Sequence, residues 1–217
     1  MSDIFPKWTN RLPRNIIIGA LLVGSGVMAG VTYYFTPKYT RVGYEPLQPV
    51  AFPHSVHVEQ LGLDCRYCHN TVEKSWYSNI PATSTCMNCH SQVLKDDARL
   101  ALVRESAASG KPIPWVQIHK MPDYVYFNHS VHVNRGISCV ECHGRIDEMD
   151  EVHHDKPLSM SYCLDCHRDP VPRVRELEKI TQLDWKAASA EAQMELGTNL
   201  VHKWGVQSLQ NCSTCHR

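Results

Sequence analysis

The chain has 217 residues and balances 22 Lys plus Arg against 22 Asp plus Glu, so its formal charge is zero. That length allows one soluble domain of ordinary size and a small extra element. The even balance excludes the basic excess expected of a nucleic-acid-binding protein.

In chain order, residues 1–15 form a short polar start in which Lys7, Arg11 and Arg14 are opposed only by Asp3. Residues 16–35, IIIGALLVGSGVMAGVTYYF, carry no charge. Twenty apolar residues at about 1.5 Å each match a hydrocarbon core of about 30 Å, which predicts a transmembrane helix. The run is longer than the apolar core of a cleaved signal and no A-x-A-like site follows it, so an uncleaved signal-anchor is expected. The preceding cations place residues 1–15 in the cytoplasm and the remainder outside. Trp8 suits the inner interface and Tyr33, Tyr34 and Tyr39 the outer one. Gly19, Gly24, Gly26 and Gly30 would allow close helix packing, although glycine is common in such segments anyway.

Beyond a linker at 36–49, cysteine spacing dominates. The ten cysteines fall into five C-x-x-C-H segments: Cys65, Cys68 and His69 (motif 1); Cys86, Cys89 and His90 (motif 2); Cys139, Cys142 and His143 (motif 3); Cys163, Cys166 and His167 (motif 4); and Cys212, Cys215 and His216 (motif 5). Composition alone predicts roughly 0.03 such segments. Two thiols at this spacing add across the two vinyl groups of haem, and the next histidine becomes the proximal iron ligand. Zinc does not need a histidine after every pair, and five pairs cannot be matched two by two into Cys₄ sites. Five covalently attached haem c groups are therefore expected, in an oxidising compartment outside the cytoplasm. Their propionates would add up to about ten negative charges to a neutral polypeptide.

The chain also repeats itself. FPHSVHV from Phe52 and FNHSVHV from Phe127 each precede one motif closely and a second some twenty residues later. This predicts two di-haem modules, 50–91 and 125–169, joined by a connecting helix and loop at 92–124 and followed by C-terminal helices and the fifth haem at 170–217. A helix is expected from Val93 to Ala108, stopping at Gly110 and Pro112. Two more are expected in 171–204, the first carrying Val174, Leu177 and Ile180 at helical spacing. The fold class is mainly α and loop-rich with little strand, haem rings replacing much of the side-chain core.

Eight histidines remain for the distal positions. His54, His57, His129 and His132 lie in the repeated F-x-H-x-x-H, where a spacing of three lets one turn serve two haems. His119, between apolar neighbours, is the fifth candidate. Met160 is the best methionine candidate, with simple packing against a haem as the alternative, and Met121 is weaker. His153 and His154, in an acidic loop, read as surface residues. His202 is a weak candidate for the fifth site.

F-x-H-x-x-H followed by C-x-x-C-H resembles the class III (cytochrome c3/c7-like) multihaem cytochromes. Five motifs, one N-terminal anchor, PWVQIHKMPDYVYFNHSVHV and PLSMSYCLDCHR together resemble the pentahaem cytochrome c component of alternative complex III, a bacterial quinol:electron-acceptor oxidoreductase. The resemblance implies an inner-membrane complex, with the haem domain on the periplasmic side. The implied partners are an iron–sulfur subunit related to molybdenum oxidoreductases, multi-span membrane subunits, a monohaem cytochrome c and a terminal oxidase or soluble acceptor. In that scheme the present chain conducts electrons and breaks no bonds. Two other readings compete. A stand-alone membrane-tethered quinol dehydrogenase often takes a methionine just after its first motif, where this chain has Asn70 and Thr71. A haem enzyme needs an open iron position, often with lysine replacing a motif histidine, whereas all five motifs here end in histidine.

Overall fold

The computed structural model describes residues 5–35 and 41–216. Asp3, Tyr39 and the first part of the expected linker lie outside them. The chain divides into two compact units, one ending at Arg41 and one starting at Val42.

In the first unit a short 3₁₀ turn, Lys7–Arg11, leads into helix α1, Leu12–Phe35. Within Lys7–Tyr34 an 18-residue window reaches a mean hydropathy of 1.9, and none of its residues is buried within the chain. Among the described residues this is the one helix long and apolar enough to cross a membrane. Its even coat of exposed Ile, Leu and Val calls for an apolar surrounding rather than for one packed face.

The second unit is built from short helices and loops. A π-helical turn, Ser55–Gln60, is followed by α2 (Cys65–Cys68), α3 (Thr83–His90), α4 (Ala101–Ser109), α5 (His129–Val133), α6 (Val140–His143), α7 (Met160–Arg168), α8 (Ala190–Lys203) and α9 (Cys212–Cys215). No strand occurs among the described residues; the isolated bridges Val125–His216 and Ile137–Val174 are the extended pairings recorded. Most of these helices are far below the length at which a helix stands alone in water. Side chains start several of them. Asp64, Asn128, Ser159, Ser189 and Asn211 each accept a backbone N–H from the first turn of α2, α5, α7, α8 and α9. Each cap satisfies a donor that the helix itself leaves unpaired.

Two expected helices differ from the observed elements. The helix expected from Val93 starts only at Ala101, after a 3₁₀ turn at Ala98–Leu100. Leu94 takes a left-handed φ of 51°, which breaks the ladder, and Asp97 then caps the new start by accepting the Arg99 N–H at 2.8 Å. The predicted stop holds, with α4 ending on left-handed Gly110. The segment carrying Val174, Leu177 and Ile180 is two 3₁₀ turns, Val171–Arg173 and Leu177–Lys179, separated by extended Val174. Pro170 and Pro172 have no N–H to give a helix. Its apolar spacing reflects burial: Val174, Ile180 and Leu183 are among the most buried side chains.

This strap holds the domain together. Arg175 N donates to Gly136 O at 3.0 Å, Ser138 Oγ donates to Ile180 O at 2.6 Å, and Thr181 Oγ1 donates to Asp64 Oδ2 at 3.0 Å. The buried Arg175 guanidinium reaches Glu141 at 3.3 Å and lies 5.1 Å from the centre of the Trp185 ring. Gly136 sits where the strap meets the turn before motif 3, at a φ of +74°. A Cβ there would lie 2.2 Å from Arg175 O and 2.7 Å from the Trp204 ring. Gly136→Ala is expected to cost about 3 kcal/mol, read as a lowered thermal midpoint in circular dichroism, with Arg135→Ala on the exposed neighbour as a near-neutral control.

Candidate haem sites

Every C-x-x-C-H segment lies on one short helix or at its end: motif 1 on α2, motif 2 in the last turn of α3, motif 3 on α6, motif 4 on α7 and motif 5 on α9. Residues three apart share a helix face, so a single turn presents both thiols on the same side. None of the ten cysteines is in a disulfide; Cys89 and Cys212 are exposed and the other eight are half-buried.

The histidines are aimed by backbone. A carbonyl lies against Nδ1 of His69 (Asn79 O, 2.6 Å), His90 (Val93 O, 3.0 Å) and His216 (Tyr124 O, 3.3 Å) in the motifs. The same holds for His57 (Pro53 O, 2.9 Å), His129 (Trp76 O, 2.8 Å) and His132 (Asn128 O, 2.8 Å) in the repeated segments. A carbonyl only accepts, so Nδ1 carries the proton and the Nε2 lone pair is left for a metal. Burial lowers the pKa of His129 and His132, and burial followed by the charge of His69 lowers that of His54 to about 4. Their rings are thus held neutral, the form that ligates. Phe52 stacks on His57 and Phe127 on His132, which explains the aromatic residue that opens both repeats.

Three pairs of rings then face each other: His57 and His90 at 6.2 Å between centres, His132 and His167 at 6.1 Å, and His129 and His143 at 6.5 Å. Two imidazoles bound through Nε2 to one metal ion, each at about 2.0 Å, place their centres about 6 Å apart. The residues present therefore fit an iron-centred haem between each pair, with paired thiols beside it. A cleft of about 670 Å³ also opens along motif 3, bordered by Val140, Gly144 and Met149.

The remaining candidates separate. His54 is half-buried, with Nδ1 out of solvent, near His69, whose charge acts on it. His129 also feels His69, so the first histidines of both repeats converge on motifs 1 and 3. His119 lies edge-on to His143 at 4.4 Å and stacks on His154 at 5.0 Å, closer than two ligands on opposite sides of one metal ion. Met160 opens α7 and is 63% exposed, Met121 is half-buried, and His202 is exposed. His153 is half-exposed, 3.9 Å from Glu45. His154, expected at the surface, is only 2% exposed. Paired backbone hydrogen bonds, Gly43 N to His154 O and His154 N to Tyr44 O, draw its loop inward. Its acidic sequence neighbours gave no sign of that distant pairing.

The chain matches the family described as cytochrome c7 and related cytochrome c over residues 50–108 and 125–217. It is 39% identical over 97 residues to the multihaem cytochrome c subunit of a menaquinone reductase from Nitratidesulfovibrio vulgaris, covering 44% of this chain and 45% of that one. It is 29% identical over 111 residues to the cytochrome subunit of an acrylate reductase from Shewanella woodyi, covering 51% and 68%. A cytochrome c-552 from Maridesulfovibrio salexigens is 23% identical over 241 residues, covering 79% and 48%. The matches to the first and third relatives thus span just under half of those proteins' length.

Two outcomes are expected. In the haem-loaded chain, His57→Ala or His132→Ala should convert one haem to a high-spin, CO-binding form in visible and EPR spectra, while His202→Ala leaves the spectra unchanged. Asp64, which caps motif 1, is held down at about 2 from 3.8, first by the Arg66 guanidinium. The unfolded carboxylate protonates first as pH falls, so this contribution is whole above pH 3.8 and lost on the way down to about 2. Asp64→Asn should remove that part of the acid-unfolding curve followed by circular dichroism.

Proposed function

The chain belongs to the family of cytochrome c7 and related cytochromes c, and from that premise we propose that it is the five-haem electron-transfer subunit of a membrane quinol:electron-acceptor oxidoreductase of the alternative complex III type. The observation that carries the electron-transfer reading is the set of three facing histidine pairs. An iron held by two strong ligands has no position left for a substrate, and such a haem supplies a one-electron couple.

The proposed ligand set gives each residue a task. Cys65, Cys68, Cys86, Cys89, Cys139, Cys142, Cys163, Cys166, Cys212 and Cys215 hold five haem c groups as thioethers, with His69, His90, His143, His167 and His216 as proximal ligands. His57 serves the motif 2 iron and His132 the motif 4 iron. His54 and His129 serve the irons of motifs 1 and 3. His119 belongs to the region around motif 3, and Met160 is the methionine candidate beside motif 4. The backbone carbonyls at Nδ1 fix the tautomer and orientation of the rings they touch.

The complex itself is read from sequence. Two of the relatives are named as cytochrome subunits of a menaquinone reductase and an acrylate reductase, which supports a place in a membrane redox assembly. The strings PWVQIHKMPDYVYFNHSVHV and PLSMSYCLDCHR carry the alternative complex III reading further. The partners are then an iron–sulfur subunit of the molybdenum-oxidoreductase type, multi-span membrane subunits, a monohaem cytochrome c and a terminal oxidase. The apolar α1 supports a single-pass anchor. Lys7, Arg11 and Arg14 support an N-terminus in the cytoplasm and a haem domain on the periplasmic side of a bacterial inner membrane. The acrylate reductase relative favours one alternative, a membrane-tethered quinol dehydrogenase that feeds a periplasmic reductase.

Purification from the native membrane in mild detergent, followed by mass spectrometry, separates the two. Stoichiometric recovery of multi-span subunits together with a large iron–sulfur subunit is the expected result. Recovery alone, or with a periplasmic reductase, rejects the alternative complex III assignment and leaves the electron-transfer role.

A further inference from the structure

The five motifs touch one another in an order that differs from their order in the chain. Within motif 2, Asn88 Nδ2 donates to the Tyr67 hydroxyl of motif 1 at 3.0 Å. Motif 1 meets motif 3 at the strap, where the consecutive residues Ile180 and Thr181 bond Cys139 N, at the start of motif 3, and Asp64, just before motif 1. The strap seals this junction from one side, Thr181 on Asp64 and Ile180 on Ser138 and Cys139. The repeats also cross there. His129 N and Ser130 N donate to Trp76 O and Ser75 O, behind motif 1, while Ser55 N donates to Met149 O, behind motif 3. Motif 3 meets motif 4 where the Tyr162 hydroxyl donates to Glu141 O. Motif 4 meets motif 5 where Ser208 Oγ, four residues before Cys212, donates to His167 O at 2.8 Å. Among the described residues none of these contacts joins motif 2 to motif 3, 4 or 5.

Thioether cysteines attach at the rim of the macrocycle, so motifs bonded to each other bring macrocycle rims together. Exposure supports the same ends: the two exposed cysteines, Cys89 and Cys212, belong to motifs 2 and 5.

Building on the proposed function, we infer that the attachment sites form one unbranched series in the order 2–1–3–4–5, so that the sites held by Cys86 and Cys89 and by Cys212 and Cys215 are the two ends where redox partners exchange electrons. Motif 1, first in the chain, is an interior link.

The ten native cysteines are all consumed by haem in the loaded protein, so an introduced cysteine is a unique labelling point. A ruthenium photosensitiser on Ser91→Cys, beside motif 2, or on Gln210→Cys, beside motif 5, injects electrons at either end of the full-length, detergent-solubilised holoprotein. The fast phase of haem absorbance then counts the haems reached. With all motifs intact, all five fill from either label. With Cys65→Ala and Cys68→Ala removing motif 1, the Ser91 label should reach one haem and the Gln210 label three. If all four remaining haems fill from either label, motif 1 is not an interior link and the order is overturned, while the electron-transfer reading stands. If the intact protein fills no haem from either label, the electron-transfer reading fails and takes the order with it. Where the double variant does not accumulate, proton NOE spectra of the fully reduced unlabelled holoprotein decide. Contacts between the haems of motifs 1 and 3, with none between those of motifs 2 and 3, uphold the order; the reverse pattern rejects it.

Discussion

The domain's architecture rests on a shortage of side-chain core. Nine apolar side chains are buried among the described residues, scattered from Val50 to Leu200, and the bulkiest of the most deeply buried is a histidine, His154. Ordering each residue costs about 1–2 kcal/mol in backbone entropy alone, and four- and five-residue helices add little to repay it. A polypeptide of this kind needs its apolar bulk from elsewhere. In a multihaem cytochrome c that bulk is the haem itself, bound by sulfur and by histidine. The short helices are then best understood as clips, each long enough to set two thiols and one imidazole and no longer.

Because the clips are short, the orientation of the imidazoles comes from loops. The carbonyls of Pro53, Asn79, Val93, Tyr124, Trp76 and Asn128 point six histidines the same way, Nδ1 inward and Nε2 free. At His129 and His132 burial adds to this by disfavouring the imidazolium. The strap from Pro170 to Leu183 plays the complementary part. It replaces helix packing with a line of hydrogen bonds that fastens Asp64, Ser138 and Gly136 to one another, with Arg175 anchored on Glu141 and Trp185.

Much of this was legible because covalent chemistry imposes fixed spacings. The C-x-x-C-H segments announce their own local geometry, and the doubled F-x-H-x-x-H pointed to histidines that do face motif histidines, His57 to His90 and His132 to His167. The α1 segment was equally plain, since twenty uncharged residues have few other uses. What failed to show was anything set by distant pairing. Val174, Leu177 and Ile180 have helical spacing yet belong to an extended strap, because Pro170 and Pro172 remove the donors a helix needs. His154 looks solvent-exposed in DEMDEVHHD and is buried by partners at residues 43 and 44. The crossing of the repeats, His129 to Trp76 and Ser130 to Ser75, joins residues more than fifty positions apart and has no local trace at all.

An arrangement in which each unit touches only its immediate neighbours behaves like a one-dimensional array. Material can be added beyond either terminal unit without disturbing an existing junction, whereas insertion between motifs 1 and 3 would have to break the crossed repeats and the strap together. Duplication of a two-motif segment is therefore tolerated at the margins and resisted at the centre. Lineages sharing this scaffold should differ most in how many units follow the fourth motif or flank the second, and least in the crossed repeats and the strap that join motifs 1 and 3.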